Sequence, residues 1–123
     1  MATVQFNCRA CGVLLSNLVT ELVDDTVLSE TDSEDHITPG RYAVSTGEYF
    51  TGSEDKILMN LKDLIAVKHH SDHRRLNGCC GLDGLDGLNL ICSNGHEIGT
   101  EKSDCWIAHA CILEPELVTL TPV

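Results

Sequence analysis

Cys8-Arg9-Ala10-Cys11-Gly12 constrains the fold more than any other stretch of the chain. Two thiolates three residues apart reach one tetrahedral ion when the chain turns tightly between them, and a glycine after the second lets the backbone turn away. The preceding Val4-Gln5-Phe6 alternates apolar and polar residues, which predicts a short strand running into that turn. A redox Cys-x-x-Cys opens a helix instead, where the helix start lowers the thiol pKa. The strand-and-turn setting points to half of a zinc site.

A closed structural site needs two more ligands. The chain offers Cys79, Cys80, Cys92, His96, Cys105, His109 and Cys111. Cys92 ends the apolar run Leu90-Ile91-Cys92 and enters a turn, the same setting as Cys8. Cys80 precedes Gly81 as Cys11 precedes Gly12, and the Gly-rich stretch after it returns the chain to Cys92. The expected zinc ligands are therefore Cys8, Cys11, Cys80 and Cys92. His96 is the rival for the fourth place through the spacing Cys92-x-x-x-His96, and Cys79 and Cys105 stay open as alternatives. Cys79 and Cys80 do not easily share one metal, and their Cα atoms, about 3.8 Å apart, are closer than a disulfide prefers. One is expected to be a ligand and the other to pack inward.

The 123 residues suffice for one domain with its own core and no disulfide stapling. Against 8 Lys and Arg stand 19 Asp and Glu, a net charge of −11 with histidines neutral, which disfavours a nucleic-acid partner. Five aromatic residues make no base-stacking platform. No run approaches the roughly 18 to 20 apolar residues of a membrane span. The first residues lack the basic and apolar regions of a secretory signal, so the expected compartment is the reducing cytoplasm. There cysteines serve as metal ligands or reactive thiols rather than disulfides.

Residues 13 to 23 suit either a strand or a short amphipathic helix. Seven acids lie between Glu21 and Asp35 with no base among them, predicting a solvated, mobile loop at about 24–38. Arg41-Tyr42-Ala43-Val44 and Glu48-Tyr49-Phe50 flank Ser45-Thr46-Gly47 as a hairpin with a three-residue connection. Residues 56 to 59 read as a strand and Asn60 as the cap of a short helix over 61–67. Asn94-Gly95 predicts a hairpin turn between Leu90-Ile91-Cys92 and His96-Glu97-Ile98-Gly99. The run from Trp106 to Leu113 is apolar on both alternating faces, which belongs to an interior strand, and Leu117 to Leu120 suits an edge strand.

Three further constellations are candidates for chemistry. The triplets Gly81-Leu82-Asp83, Gly84-Leu85-Asp86 and Gly87-Leu88-Asn89 set out oxygen ligands, but without the every-second-residue spacing and closing Glu of a calcium loop. They read better as turns anchored by their leucines. His69, His70 and His73 sit among charged residues and read as surface histidines. Asp104-Cys105-Trp106 with His109 has the residues of a thiol nucleophile and base, yet on an extended strand Cys105 and His109 lie two steps apart on one side.

Taken together, Cys8-x-x-Cys11-Gly12, Asn77-Gly78-Cys79-Cys80-Gly81-x-Asp83-Gly84-x-x-Gly87-x-Asn89, Cys92 and Asp104-Cys105-Trp106-x-x-His109 resemble a family of small uncharacterised bacterial Cys-rich proteins. The resemblance spans both ends and the Gly-rich centre and implies no activity. Members of that family carry a cysteine where this chain has Asn94. More distantly, an early Cys-x-x-Cys-Gly knuckle and a late cysteine-bearing hairpin resemble zinc-ribbon and β-tent domains, such as Yippee-like and cereblon ligand-binding modules. A cage of three tryptophans is impossible with Trp106 alone, so the cereblon type of ligand binding does not transfer.

The sequence thus predicts one mainly β domain over 1–123, α+β at most. It would be a small antiparallel fold with a zinc-knuckle site and one or two short helices. The function read from it is structural zinc (Zn2+) in a protein–protein interaction module or accessory subunit. A protein partner would meet the acidic loop or the basic segment Lys68 to Arg75 by charge complementarity. No catalytic residue is assigned. The alternative is a thiol-dependent enzyme or redox sensor using Cys105, or Cys79 with Cys80, aided by His109. Zinc held by Cys8, Cys11 and Cys92 alone would instead leave a position for catalytic water.

Overall fold

A computed structural model describes residues 3–24 and 27–123; Met1, Ala2 and, within the acidic segment, Asp25 and Thr26 lie outside the described residues. Among those described, nine strands form one mixed sheet. They are β1 Thr3–Cys8, β2 Val19–Glu21, β3 Arg41–Val44, β4 Ile57–Met59, β5 Val67–His69, β6 Leu90–Cys92, β7 Glu97–Lys102, β8 Ala110–Leu113 and β9 Val118–Pro122. Their order across the sheet is β5-β6-β7-β8-β4-β3-β2-β1-β9.

The mainly β expectation holds, with one correction to its antiparallel character. β2 and β3 run parallel, in register Thr20 to Arg41 and Glu21 to Tyr42. A parallel pair needs a crossover of about a dozen residues or more, and the chain between Glu21 and Arg41 supplies it. The Arg41 side chain fastens the pair by donating to the carbonyls of Thr20 (3.2 Å) and Glu21 (3.0 Å).

The alternation of β1 turns Val4, Phe6 and Cys8 inward. They join Leu15, Val19, Tyr42, Met59, Leu90, Ile98, Leu113 and Val118 in one apolar cluster. Ala43, Leu58, Ala110 and Ile112 point the other way and pack with Ile37 and Phe50. The centre of the sheet, β3-β4-β8, is therefore buried on both faces, which explains an apolar stretch without alternation in β8. The strand is shorter than expected, however, and Trp106 stands 71% exposed.

Other local expectations shift for identifiable reasons. Residues 48–50 do not form a strand because Tyr49 and Phe50 turn inward, and β3 pairs with β4 instead. The loop base is closed by Ser45 and Ser53, whose hydroxyls lie 2.6 Å apart. Asn60 does cap, its Oδ1 accepting the Lys62 amide at 2.8 Å, but the helix ends after one 3-10 turn, Leu61–Asp63. Ala66 then takes a left-handed φ of 55°, which stops helical continuation before β5.

The described part of the acidic segment is docked by its end. Glu30, Asp32, Glu34 and Asp35 are exposed, while His36 and Ile37 are buried. Backbone bonds from His36 N to His109 O (2.8 Å) and from His109 N to Glu34 O (2.7 Å) stitch the segment beside residue 109. The His36 ring stacks on Tyr49 at 5.2 Å and meets Phe50 edge-on at 5.0 Å. Its Nδ1 donates to the Ser29 carbonyl at 2.6 Å.

Burial pushes the His36 pKa below its ordinary 6.5, although the Ser29 carbonyl and the Glu30 charge pull the other way. The unfolded chain therefore takes up this proton more readily than the folded one, and the contribution to stability is fully present above about pH 6.5 and lost as pH falls through the lower folded value. Denaturation midpoints at pH 7.5 and pH 5 should drop more in the native sequence than in His36→Phe. An equal drop in both would show that this ring carries none of the acid sensitivity.

Candidate metal centre

β1 delivers Cys8 on its inward face, and the chain then folds back on itself. The Gly12 amide donates to the Cys8 carbonyl at 2.7 Å, and the Asn7 side-chain amide donates to the Gly12 carbonyl at 3.2 Å. Arg9 pins the outside of this knuckle by donating to the Val118 carbonyl of β9 at 3.0 Å. β6 and β7 supply a second knuckle: the Cys92 amide donates to the His96 carbonyl at 2.8 Å, and the Gly95 amide to the Cys92 carbonyl at 2.9 Å. Gly12 and Gly95 take φ of 78° and 90°, in the left-handed region that favours glycine, so both turns depend on that residue type.

The two knuckles meet. The ligand atoms of Cys8, Cys11, Cys92 and His96 all lie within 4.8 Å of one another. Cys11 Sγ is 3.8 Å from Cys92 Sγ, and Cys92 Sγ is 3.4 Å from His96 Nδ1. Cys8 and Cys92 are buried while Cys11 and His96 face solvent. Six strand steps separate β6 from β1 in the sheet order. In a flat sheet at roughly 4.8 Å per step they would stand about 29 Å apart. The sheet therefore curls, and the cluster closes it like a clasp.

Three of the four expected ligands are brought together here, and Cys80 is not among them. It lies instead with Cys79 and Cys105, and is disulfide-bonded to Cys105. Its resemblance to the Cys11-Gly12 pair is local, and what positions it is long-range. The Asp104 carboxylate accepts the backbone amides of Cys79 and Cys80, each at 3.0 Å, and draws this turn toward Cys105. The fourth member of this group is His96, which sits one short turn from Cys92 and needs no distant loop to reach it.

The four groups are shifted in different directions. The Asn94 side-chain amide, donating at 3.3 Å, is the main influence holding the Cys11 thiol down at about 6, with the Val13 amide second. Burial pushes the Cys8 thiol up. At Cys92 burial is the largest influence and raises the thiol, but the amides of His96 and Asn94 together with the His96 ring outweigh it, so the net direction is down. His96 is raised, chiefly by Cys92 and then by Cys11. Asn94 thus acts through hydrogen bonds to the sulfurs of Cys92 and Cys11, a role the sequence did not suggest.

The other candidates are otherwise engaged. Asp83 Oδ1 accepts the Leu85 amide at 3.0 Å, Asp86 Oδ2 accepts from Asn77 at 2.8 Å, and the buried Asn89 side chain pairs with both the amide (2.6 Å) and the carbonyl (3.1 Å) of Glu101. Leu85, expected as an anchor, is 78% exposed. His69 and His70 turn to different carboxylates, Glu101 at 3.1 Å and Glu97 at 3.0 Å. His109 Nε2 donates to the Asp104 carbonyl at 3.0 Å rather than to a thiol. Cys111 is a core thiol whose pKa burial pushes far up. No helix among the described residues is long and apolar enough to cross a membrane.

Comparison with protein-family models, with curated proteins and with solved structures gives no match for this chain.

Proposed function

We propose that Cys8, Cys11, Cys92 and His96 hold a structural zinc ion, and that the chain is a zinc-clasped β module whose work is done through a protein partner. The mutual approach of four ligand atoms from two knuckles carries the reading. Zinc–sulfur bonds of about 2.3 Å and zinc–nitrogen bonds of about 2.0 to 2.1 Å imply tetrahedral edges of about 3.8 Å between sulfurs and about 3.6 Å between sulfur and nitrogen. The observed separations are 3.8 Å and 3.4 Å. Three thiolates and an imidazole suit zinc better than a hard cation, and four protein ligands leave no position for substrate water.

Of the two charged segments, the acidic one is the better surface for a partner. Arg74 and Arg75 are already met by Asp72 and Glu97. Glu30, Asp32 and Glu34 are exposed on a segment whose end is anchored by buried His36 and Ile37. A partner with a basic surface fits this charge.

Metal analysis of the native protein should give one zinc per chain. That metal should be lost in Cys8→Ser, Cys11→Ser and Cys92→Ser, reduced in His96→Ala and retained in Cys80→Ser. After cobalt substitution, the tetrahedral absorption bands should not change when azide is added, because no coordination position is open. Loss of zinc in Cys80→Ser with retention in His96→Ala would reverse the ligand assignment, and a cobalt spectrum that responds to azide would make the site catalytic rather than structural.

A further inference from the structure

Away from the metal centre, the sulfur atoms of Cys79, Cys80 and Cys105 all lie within 4.8 Å of one another. Cys80 and Cys105 are disulfide-bonded with Cα atoms 5.5 Å apart. Cys79 is free and exposed beside them. The backbone at all three positions is fixed by one side chain. The Asp104 carboxylate accepts the amides of Cys79 and Cys80 at 3.0 Å and that of Cys105 at 2.7 Å. Ser103 adds a further tie, its hydroxyl accepting the Leu82 amide at 3.0 Å. The carboxylate does not itself bond the sulfurs, so it can hold the frame while the bond between them changes.

We propose that this cluster is a thiol–disulfide exchange site, in which the crosslink to Cys105 passes between the neighbouring Cys79 and Cys80. Exchange proceeds by attack of a thiolate on a disulfide sulfur. Cys79, having given its proton to water, attacks Sγ of Cys105. The Cys79–Cys105 bond forms, the Cys80–Cys105 bond breaks, and the electron pair leaves on the Cys80 sulfur, which takes a proton from water. One disulfide and one thiol stand on each side, so no oxidant or reductant is consumed. A direct bond between the adjacent residues 79 and 80 is the disfavoured third pairing, since their Cα atoms are only about 3.8 Å apart. Cys105 is thus the fixed member, and an exposed thiol remains at 79 or 80 in either state. This proposal does not rest on the zinc reading, because it uses none of those ligands.

The test is linkage mapping of native protein never exposed to reductant. It is held at neutral pH for some hours, the span of uncatalysed disulfide rearrangement, then trapped with iodoacetamide and digested. Fragment masses should show two populations, one alkylated at Cys79 and one at Cys80, with Cys105 bonded in both. In Cys80→Ser, with oxidised glutathione present to accept the two electrons, Cys105 should pair with Cys79; in Cys79→Ser it should pair with Cys80. A cooperative thermal transition in each variant shows that it is folded. Label confined to Cys79 in the native protein overturns the proposal, as does a free Cys105 in Cys80→Ser. Alkylation of all three sulfurs together with a second bound metal overturns it too, and makes the cluster a metal site.

Discussion

Stripping the proposed zinc from the native protein with a strong chelator should unfold the chain at room temperature, and restoring zinc should refold it. The free energy of structural zinc binding, about 10 to 16 kcal/mol in small zinc-binding peptides, matches or exceeds the roughly 5 to 15 kcal/mol that separates a native domain from its unfolded state. Here the loss is concentrated where it does most harm. On the proposed clasp, removing the ion would leave three thiols and an imidazole crowded in one corner, two of them buried, and would free the knuckles that hold β6 against β1. Far-UV circular dichroism and the thermal midpoint before and after chelation measure the effect. A midpoint unchanged after one equivalent of zinc has been removed would show that the clasp is ornamental to the fold.

Phe6→Ala should be the most damaging single change in the apolar core, costing about 3 to 5 kcal/mol as large-to-small aromatic truncations do. Phe6 is fully buried and meets the Tyr42 ring edge-on at 5.3 Å. Its backbone is equally committed, with the amide donating to the buried Ser16 hydroxyl at 3.0 Å. The cavity cannot collapse easily, because β1 is paired on both sides, with β2 and β9. Urea unfolding of zinc-loaded protein should show the midpoint falling at unchanged slope. A loss below about 1 kcal/mol, the size of a minor repacking, would mean that the neighbours close over the gap.

Much of this was legible from local pattern. The alternation of Val4, Phe6 and Cys8 and the Asn94-Gly95 turn are short-range signals, and the strands and knuckles they predict are present. The spacing Cys92-x-x-x-His96 also held the information for the fourth member of the cluster, since both residues flank one turn. Cys80 lies apart from this cluster because its neighbours, Asp104 and Cys105, are more than twenty residues away in sequence, where no local pattern records them. The same limit applies to residues 48–50, where the choice between strand and inward turn depended on the distant His36 and Tyr49 stack. The parallel β2–β3 pair was hidden for a related reason: nothing local to either strand records the direction in which its neighbour runs.

Among the described residues, the open sheet order leaves β5 and β9 each with one side unpaired, and such edges recruit strands from other molecules unless something blunts them. β5 is only three residues long and exposes Lys68 and His69. β9 ends at Pro122, which has no amide to donate. Brevity and charge guard one border and an absent hydrogen the other, so the curled sheet can keep both margins in water without offering a template for runaway cross-strand assembly.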